Sequence, residues 1–374
     1  MSVPTLRIER DSSPDSSRWD AFVGSCANAH FEQASDWAAA KQVQGWTSFR
    51  LLAFQGDQII AGAQVLTRSL RRWVTIGMVS RGPLFAVTDA STRQRAVHEL
   101  LSALKRERLA YVVVVPPYGG LGESNPLDAH GFFPKPELLP PSRAITATLE
   151  LDLTKDLDSL LAGMRTGTRY DIRKGLKENF TFHEEGSKEM PTFFRLMTQL
   201  CERRGTAPTP AQPHFFDSLV QSRGRPSTAR LFFLRREGIP VAAALAFALG
   251  GALRVWKVGW SGEFESSQPN KLLWWHLIRW AKAAGLTTFD FVQILPHHAQ
   301  AVLKGEKVEG DPYWGVTQFK LGFGGALRLL PEPQYRSHHF MLQTLLRLGG
   351  ARVLGSPFGI RWVQRFSASQ ATDA

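Results

Sequence analysis

The sequence predicts an α/β protein built from two copies of one unit, and three observations carry that expectation. A chain of 374 residues is longer than one hydrophobic core usually supports, so two domains are expected. The order hairpin, strand, helix, strand occurs twice along it. Finally, the stretch Leu51-Leu52-Ala53-Phe54-Gln55-Gly56-Asp57-Gln58-Ile59-Ile60-Ala61-Gly62 lines up with Phe232-Phe233-Leu234-Arg235-Arg236-Glu237-Gly238-Ile239-Pro240-Val241-Ala242-Ala243, with a small shift at the turn.

In the first copy, Trp19 to Trp46 shows apolar residues at three- and four-residue spacings and reads as helical. Phe49 to Phe54 and Ile59 to Leu66 read as strands around a Gln55-Gly56-Asp57 turn, with Trp73 to Val79 as a third strand. Ser80-Arg81-Gly82-Pro83 interrupts the sheet. Arg93 to Glu107 then reads as an amphipathic helix, and Tyr111 to Val115 as an all-apolar buried strand. The second copy repeats this order with strands Leu231 to Arg235, Val241 to Leu249 and Leu253 to Trp260. A helix from Asn270 to Ala284 follows, closed by Gly285, and then the strand Thr288 to Val292. The expected divisions are 1–150 and 151–333 for the two domains and 334–374 for a C-terminal tail.

Composition narrows the partners. Forty-five basic against thirty-three acidic residues give a net charge of +12, a field that attracts polyanions such as RNA, nucleotide diphosphates or an anionic membrane. Cys26 and Cys201 are the two cysteines, which excludes a disulfide framework and a CxxC metal site. The histidines occur singly or as adjacent pairs, without the spacing of a helical metal site, so neither metal nor cofactor is expected. Near the N-terminus, Glu9, Asp11 and Asp15 replace the apolar run of a signal peptide, and no later run reaches the length of a membrane span. The expected location is the cytoplasm.

Two stretches carry candidate chemistry. In Gly310-Asp311-Pro312-Tyr313-Trp314-Gly315-Val316-Thr317-Gln318-Phe319-Lys320-Leu321-Gly322-Phe323-Gly324-Gly325, a lysine sits between phenylalanines ahead of a glycine pair suited to positive φ or close approach to a ligand. The same run can be read as a core strand with Phe319, Leu321 and Phe323 inward and Lys320 in solvent. Between the copies, Arg165, Arg169 and Arg173 recur every four residues. On a helix they form one cationic stripe suited to phosphate, or a solvated basic face, with Tyr170 and Ile172 anchoring the other side.

Several segments taken together resemble the FemABX family of peptidoglycan interpeptide-bridge aminoacyltransferases. They are Phe31-Glu32-Gln33-Ala34-Ser35-Asp36-Trp37 with Lys41 and Gly45-Trp46, then Arg81-Gly82-Pro83 and Arg169-Tyr170-Asp171-Ile172-Arg173-Lys174. Phe289-Asp290-Phe291 and Gln318-Phe319-Lys320-Leu321-Gly322-Phe323-Gly324-Gly325 complete the set. The resemblance implies two tandem domains of the GNAT acyltransferase fold and transfer of an amino acid from aminoacyl-tRNA, or a related acyl donor, onto an amine of a cell-envelope precursor. The short span between Phe182 and Arg230 leaves no room for a long helical arm, as in compact members whose acceptor can be a soluble UDP-linked muropeptide. Other members use a lipid-linked precursor.

The resemblance also distributes roles. Lys320 is expected beside the reacting ester or the tRNA terminus, with Phe319 shaping the pocket and Gly324, in the glycine pair, among the substrate-binding residues. Lys41 near Trp37, with Arg165, Arg169, Tyr170 and Arg173, is expected to hold the diphosphate of the precursor. Asp290 and Asp311 are candidate bases, though either can cap a turn. His297-His298 stands where a glycine-rich turn is expected and reads either as a substrate contact or as a solvated loop pair. From Gln334 to Phe366, arginines interleave with Phe and Leu, a pattern that suits peripheral contact with the inner face of a membrane or packing on the second domain.

Two other functions compete. An acyl-CoA-dependent GNAT N-acyltransferase for polysaccharide or lipid synthesis would need a glycine-rich pyrophosphate loop, which neither Gln94-Arg95 nor Gln268-Pro269-Asn270-Lys271 supplies. A non-enzymatic RNA-binding or membrane-adaptor protein would use the charge and the tail alone.

Overall fold

In a computed structural model, the described residues are 5–13, 17–71, 74–122, 125–135, 144–220 and 228–338. They form two compact units, one of residues 1–144 with 331–374 and one of 145–330. The first unit runs β1 (Arg7–Asp11), α1 (Ser17–Ser25), α2 (Ser35–Gln42), β2 (Thr47–Gln55), β3 (Gln58–Arg71), β4 (Val74–Ser80) and β5 (Leu84–Phe85). It continues through α3 (Ala90–Arg106), β6 (Tyr111–Val115), α4 (Pro126–Ala129) and β7 (Phe133–Pro134). The second unit opens with β8 (Ala147–Asp152), α5 (Leu157–Ala162), α6 (Thr166–Gly175), β9 (Phe180–Glu185), α7 (Met190–Arg203) and α8 (Pro213–Val220). Then come β10 (Ala229–Arg236), β11 (Ile239–Leu249), β12 (Ala252–Trp260), α9 (Pro269–Ala283), β13 (Thr288–Asp290), α10 (Pro296–Lys304), α11 (Trp314–Leu321) and β14 (Ala326–Leu329). A last strand, β15 (Gln334–Ser337), pairs back onto β6 and β7 of the first unit.

The duplication is real. In the first sheet, ordered β1-β2-β3-β4-β6-β15-β7 with β5 on β3, the hairpin β2–β3 leads to β4, which crosses through α3 to the parallel strand β6. The second sheet, ordered β14-β8-β13-β12-β11-β10-β9, has the hairpin β10–β11, then β12, which crosses through α9 to the parallel strand β13. A parallel pair needs such a crossover, which is why a helical stretch had to separate those strands.

The second sheet is covered on both faces. Phe232, Leu234, Ala244 and Leu253 pack with Leu273, Trp274 and Ile278 of α9. On the other face, Trp256 meets Phe215 and Phe216 of α8 and Phe247 of β11. Burial on both faces explains why β11 carries Ala242-Ala243-Ala244-Leu245-Ala246 without polar alternation, every one of them buried. Helix α7 comes so close that a Cβ on Gly259 would stand 2.6 Å from the Met197 nitrogen.

In the first unit, the Phe31-Glu32-Gln33 and Arg81-Gly82-Pro83 motifs meet. Gln33 is fully buried in a short 3-10 turn, where its Oε1 accepts from the Gln64 N–H at 2.8 Å and its Nε2 donates to the Ser80 carbonyl at 2.6 Å. A Cβ on Gly82 would lie 3.0 Å from the Gln33 amide, so glycine there is a packing requirement. Arg81, also buried, faces Glu32 at 4.0 Å and lies over the Tyr118 ring. These two motifs are structural joints of the first unit.

Four expectations change. The Trp19–Trp46 segment is helical in two pieces, α1 and α2, separated by the turn that carries Gln33. The 310–325 run is a helix, α11, followed by a glycine turn, and Phe319 and Phe323 face one another at 5.4 Å as residues four apart on one side. On α6, Ile172 is buried but Tyr170 is 67% exposed, so Tyr170 anchors nothing there. Gln334–Ser337 is sheet, because its backbone extends the first unit's pairing. The remainder of the expected tail lies outside the described residues. Among the described residues, no helix is long and apolar enough to cross a membrane.

Replacing Gln33 by Leu strands the Gln64 N–H and the Ser80 carbonyl inside the first unit and is expected to cost about 2 kcal/mol or more. Gly259→Ala, which forces α7 off the second sheet, is expected to cost about 1–3 kcal/mol. Both are read as lowered urea midpoints, and an unchanged midpoint for either would refute the corresponding packing argument.

Candidate active site

The two sheets differ where their parallel strands meet. β4 and β6 pair over Ile76–Ser80 and Tyr111–Val115, and the Gly82 N–H still bonds the Val115 carbonyl beyond them. β12 and β13 pair only over Ala252–Arg254 and Thr288–Asp290. After Asp290 the chain leaves β12 and follows β8, with the Phe291 N–H on the Leu149 carbonyl and the Ile294 N–H on the Ala147 carbonyl. β12 runs on to Trp260 paired to β11 alone, so the second sheet is open along the far half of β12.

Asp290 fixes that departure. It is fully buried, and its Oδ1 accepts from the Thr148 hydroxyl at 2.5 Å and from the Val292 N–H at 2.7 Å. Arg254 lies opposite it in register with Nε 3.5 Å from Oδ2. The bond to its N–H helps hold Val292 at φ +54°, a left-handed conformation costly for a β-branched residue. The Val292 and Gln293 carbonyls then accept from Lys320 Nζ at 3.1 and 2.8 Å. Asp290 is thus a support for Lys320, and its burial removes it from the reach of a substrate amine. The expectation of Asp290 as a base does not fit this geometry.

Lys320 projects from the last turn of α11, and the contacts to its Nζ are backbone carbonyls. Burial pushes its pKa down to about 8, the Asp290 carboxylate pulls it up, and Arg204 pushes it down further. At neutral pH it is a cation whose charge no carboxylate among the described residues touches. Phe319 is half-buried and packs edge-on against Trp274 at 6.0 Å, in an aromatic cluster with Phe291 and Phe323. Gly324 has φ +79°, and a Cβ on it would come 3.0 Å from the Gly163 carbonyl oxygen. The glycine turn therefore allows close approach of the chain's own backbone.

Sequence reasoning missed three further charged residues of the second unit whose proton affinity the fold shifts. Lys257 stands on the open half of β12, and burial lowers its pKa to about 8. Arg204, just after α7, is also depressed by burial and acts on Lys320. Glu150, opposite Asp290 in register, has its pKa raised by burial and then by Asp290. A lysine inside the apolar strand Leu253-Arg254-Val255-Trp256-Lys257-Val258-Gly259-Trp260 was the available signal.

The arginine stripe is only partly as expected. Arg165 and Arg173 are exposed, but Arg169 folds back to donate to the Ala162 carbonyl at 2.8 Å and to the Met164 carbonyl. In the first unit, Lys41 is half-buried, with Nζ 2.8 Å from Gln44 Oε1 and over the buried Trp37 ring. The start of α9 is engaged by α6 and the turn before it. Lys271 pairs with Asp171, Lys174 donates to the Ser266 carbonyl, and Pro269 occupies the first helical turn. His297 and His298 lie in the first turn of α10, and the expectation of a solvated pair fails for His298, which is fully buried.

A model of the FemAB family matches residues 15–125, and a model of the acetyltransferase (GNAT) domain matches residues 162–300. The crystal structure of FemX superposes with a TM-score of 0.74 over 91% of this chain and 100% of that one, at 19% identity. Residues 15–125 thus match the FemAB family, and the chain has the fold of FemX. Among curated FemABX relatives, a lipid II:glycine glycyltransferase of Staphylococcus saprophyticus is 27% identical over 239 residues, 59% of this chain and 55% of the relative. A UDP-N-acetylmuramoylpentapeptide-lysine N(6)-alanyltransferase of Weissella viridescens is 25% identical over 246 residues, 62% of this chain and 70% of the relative. The match thus spans about half the length of the first of these relatives. The structural likeness shows two tandem GNAT-like units, in agreement with the duplication and the two sheets.

The charge on Lys320 has a measurable sign. Its pKa is near 8 in the fold, below its value of about 10.4 in an unfolded chain, so unfolding takes up a proton between those values and stability gains as pH rises through that window. The stability of Lys320→Met relative to the parent is therefore expected to shift in the parent's favour between about pH 8 and 10.5, because the variant lacks that titration. Urea unfolding at the two ends of the window tests this, and a constant difference would refute the burial of the charge.

Proposed function

We propose that this chain is an aminoacyltransferase that moves an amino acid from an activated ester, aminoacyl-tRNA or a related acyl donor, onto an amine of a peptidoglycan precursor. The observation that carries the proposal is Lys320, a cation whose Nζ bonds only backbone carbonyls among the described residues, presented by a helix beside the strand departure that opens the second sheet. The names of the relatives supply the reaction class and the acceptors, lipid II or a UDP-linked pentapeptide.

In this reaction the acceptor amine attacks the ester carbonyl, a C–N bond forms, and negative charge develops on the carbonyl oxygen. The C–O bond to the ribose then breaks, and the amine's proton ends on the departing hydroxyl. The ester is already activated, so orientation and charge stabilisation supply most of what catalysis needs. Lys320 is the group proposed to face the developing oxyanion or the adjoining donor terminus, with Phe319 walling the pocket. Arg204 and Lys257 add positive potential for an anionic donor. Exposed Arg165 and Arg173, and Lys41 in the first unit, are proposed to bind precursor phosphates, for which a planar guanidinium is suited.

The acyl-CoA reading meets an obstacle at the start of α9, where a GNAT domain would present free N–H groups to a pyrophosphate. Pro269 lacks that N–H, and α6 closes over the turn through Lys174, while Lys271 is turned to Asp171.

The test is a transfer assay with the full chain, charged tRNAs, and UDP-linked muropeptide and lipid-linked precursor in parallel. Transfer to either acceptor is expected, with turnover falling above about pH 8 as Lys320 loses its proton. Lys320→Ala is expected to lower turnover by about 10²–10³-fold. Full activity in Lys320→Ala would remove its role. Activity with acyl-CoA and no activity with charged tRNA would replace the donor.

A further inference from the structure

The two histidines of α10 are brought to one carboxylate that the sequence places 13 and 14 residues away. Asp311 Oδ2 lies 2.9 Å from His297 Nε2 and 3.2 Å from His298 Nε2, and the three ligand-type atoms all fall within 4.8 Å of one another. An ion held about 2.0–2.1 Å from each of three ligands at tetrahedral angles needs those atoms about 3–3.5 Å apart, so the pocket has nearly the right size already.

His298 gives the decisive observation. The residue is fully buried, its Nδ1 is 2.8 Å from Thr317 Oγ1, and its Nε2 lies 3.2 Å from Asp311 Oδ2 without the alignment of a good hydrogen bond. A neutral imidazole has one N–H. With the proton on Nδ1 and bonded to Thr317, the Nε2 lone pair faces a carboxylate oxygen, which is repulsive. With the proton on Nε2, a buried donor points off-line and goes unsatisfied, at a real free-energy cost. A cation between the two atoms removes both problems.

The surroundings have the form of a metal site's outer shell. Thr317 orients His298 through the nitrogen that faces away from Asp311, and the Tyr313 N–H holds Asp311 Oδ1 at 2.7 Å, so that Oδ2, hydrogen-bonded to His297 Nε2 at 2.9 Å, faces the site. Trp314 packs edge-on against His298 and shields that side. His297 is exposed, so at least one coordination position opens to solvent.

We propose that His297, His298 and Asp311 bind one divalent first-row transition-metal ion of the zinc class. Two imidazoles and one carboxylate suit such an ion and do not suit magnesium, which prefers oxygen ligands. The ion would clip the first turn of α10 to the loop that enters α11, the helix carrying Lys320. It stands apart from the transfer reaction, which needs no metal.

Tag-free full-length protein, stripped with a chelator and exchanged into clean buffer, is titrated with Zn²⁺ by calorimetry and with Co²⁺ by its visible absorption. One ion per chain is expected, with a rise in melting temperature that depends on zinc concentration and no competition from Mg²⁺. His297→Ala removes an exposed side chain and leaves the fold intact by circular dichroism. Since outer-shell partners alone are worth about 10–100-fold in affinity, this variant and Asp311→Asn should each weaken binding at least about tenfold. Absence of stoichiometric binding, or affinity unchanged in both variants, overturns the site.

Discussion

The constraint on which the second unit depends is the bond from the Asp290 carboxylate to the Val292 N–H. A buried carboxylate is costly unless it is compensated, and here Thr148 and Val292 both bond Oδ1 while Oδ2, without a hydrogen bond, faces the Arg254 guanidinium at 3.5 Å. One consequence is backbone direction, because the bond helps hold Val292 left-handed and the chain departs from β12. The other is electrostatic, because the carbonyls exposed by that bend are the acceptors that hold Lys320. One interaction therefore opens the sheet and positions the cation beside the opening.

The duplication gives this a built-in control. Both units share hairpin, strand, crossover helix and parallel strand, yet β4 and β6 stay paired to their ends while β12 and β13 separate after three residues. In the first unit the corresponding joint is closed by Gln33 and Gly82, whose side-chain amide and missing Cβ fit one another. Motifs of the same family signature thus do different physical work. Those of the first unit secure packing, and those of the second create an opening with a charge at its edge.

The fold was largely legible because apolar periodicity and turn residues report burial directly. Hairpins, crossover helices and the repeat were all readable from them. The helix α11 was not, because Phe319, Leu321 and Phe323 satisfy a strand's alternation while Phe319 and Phe323 also satisfy a helix's four-residue spacing, and the surrounding glycines favour neither. Nor was the division of the arginine stripe, since spacing places Arg169 beside Arg173 but cannot show that Arg169 turns back to the carbonyls ending α5. His298 and Asp311 meet only through the packing of α10 against the entry to α11. Lys257 was visible as an oddity in an apolar strand, but its meaning required knowing that, among the described residues, half of β12 has no strand on the β13 side.

The second unit also carries three cations that burial disfavours. Lys257, Lys320 and Arg204 each lose proton affinity through burial, and Arg204 disfavours the charge on Lys320. Asp290 offsets part of this for Lys320, but it is committed to Thr148, Val292 and Arg254 and cannot neutralise three charges. A fold that retains partly desolvated cations, two of which, Arg204 and Lys320, repel one another, pays in stability for a field directed at something anionic. The binding of an anionic group would relieve that repulsion, so affinity for such a ligand and the instability of the empty site have one physical origin.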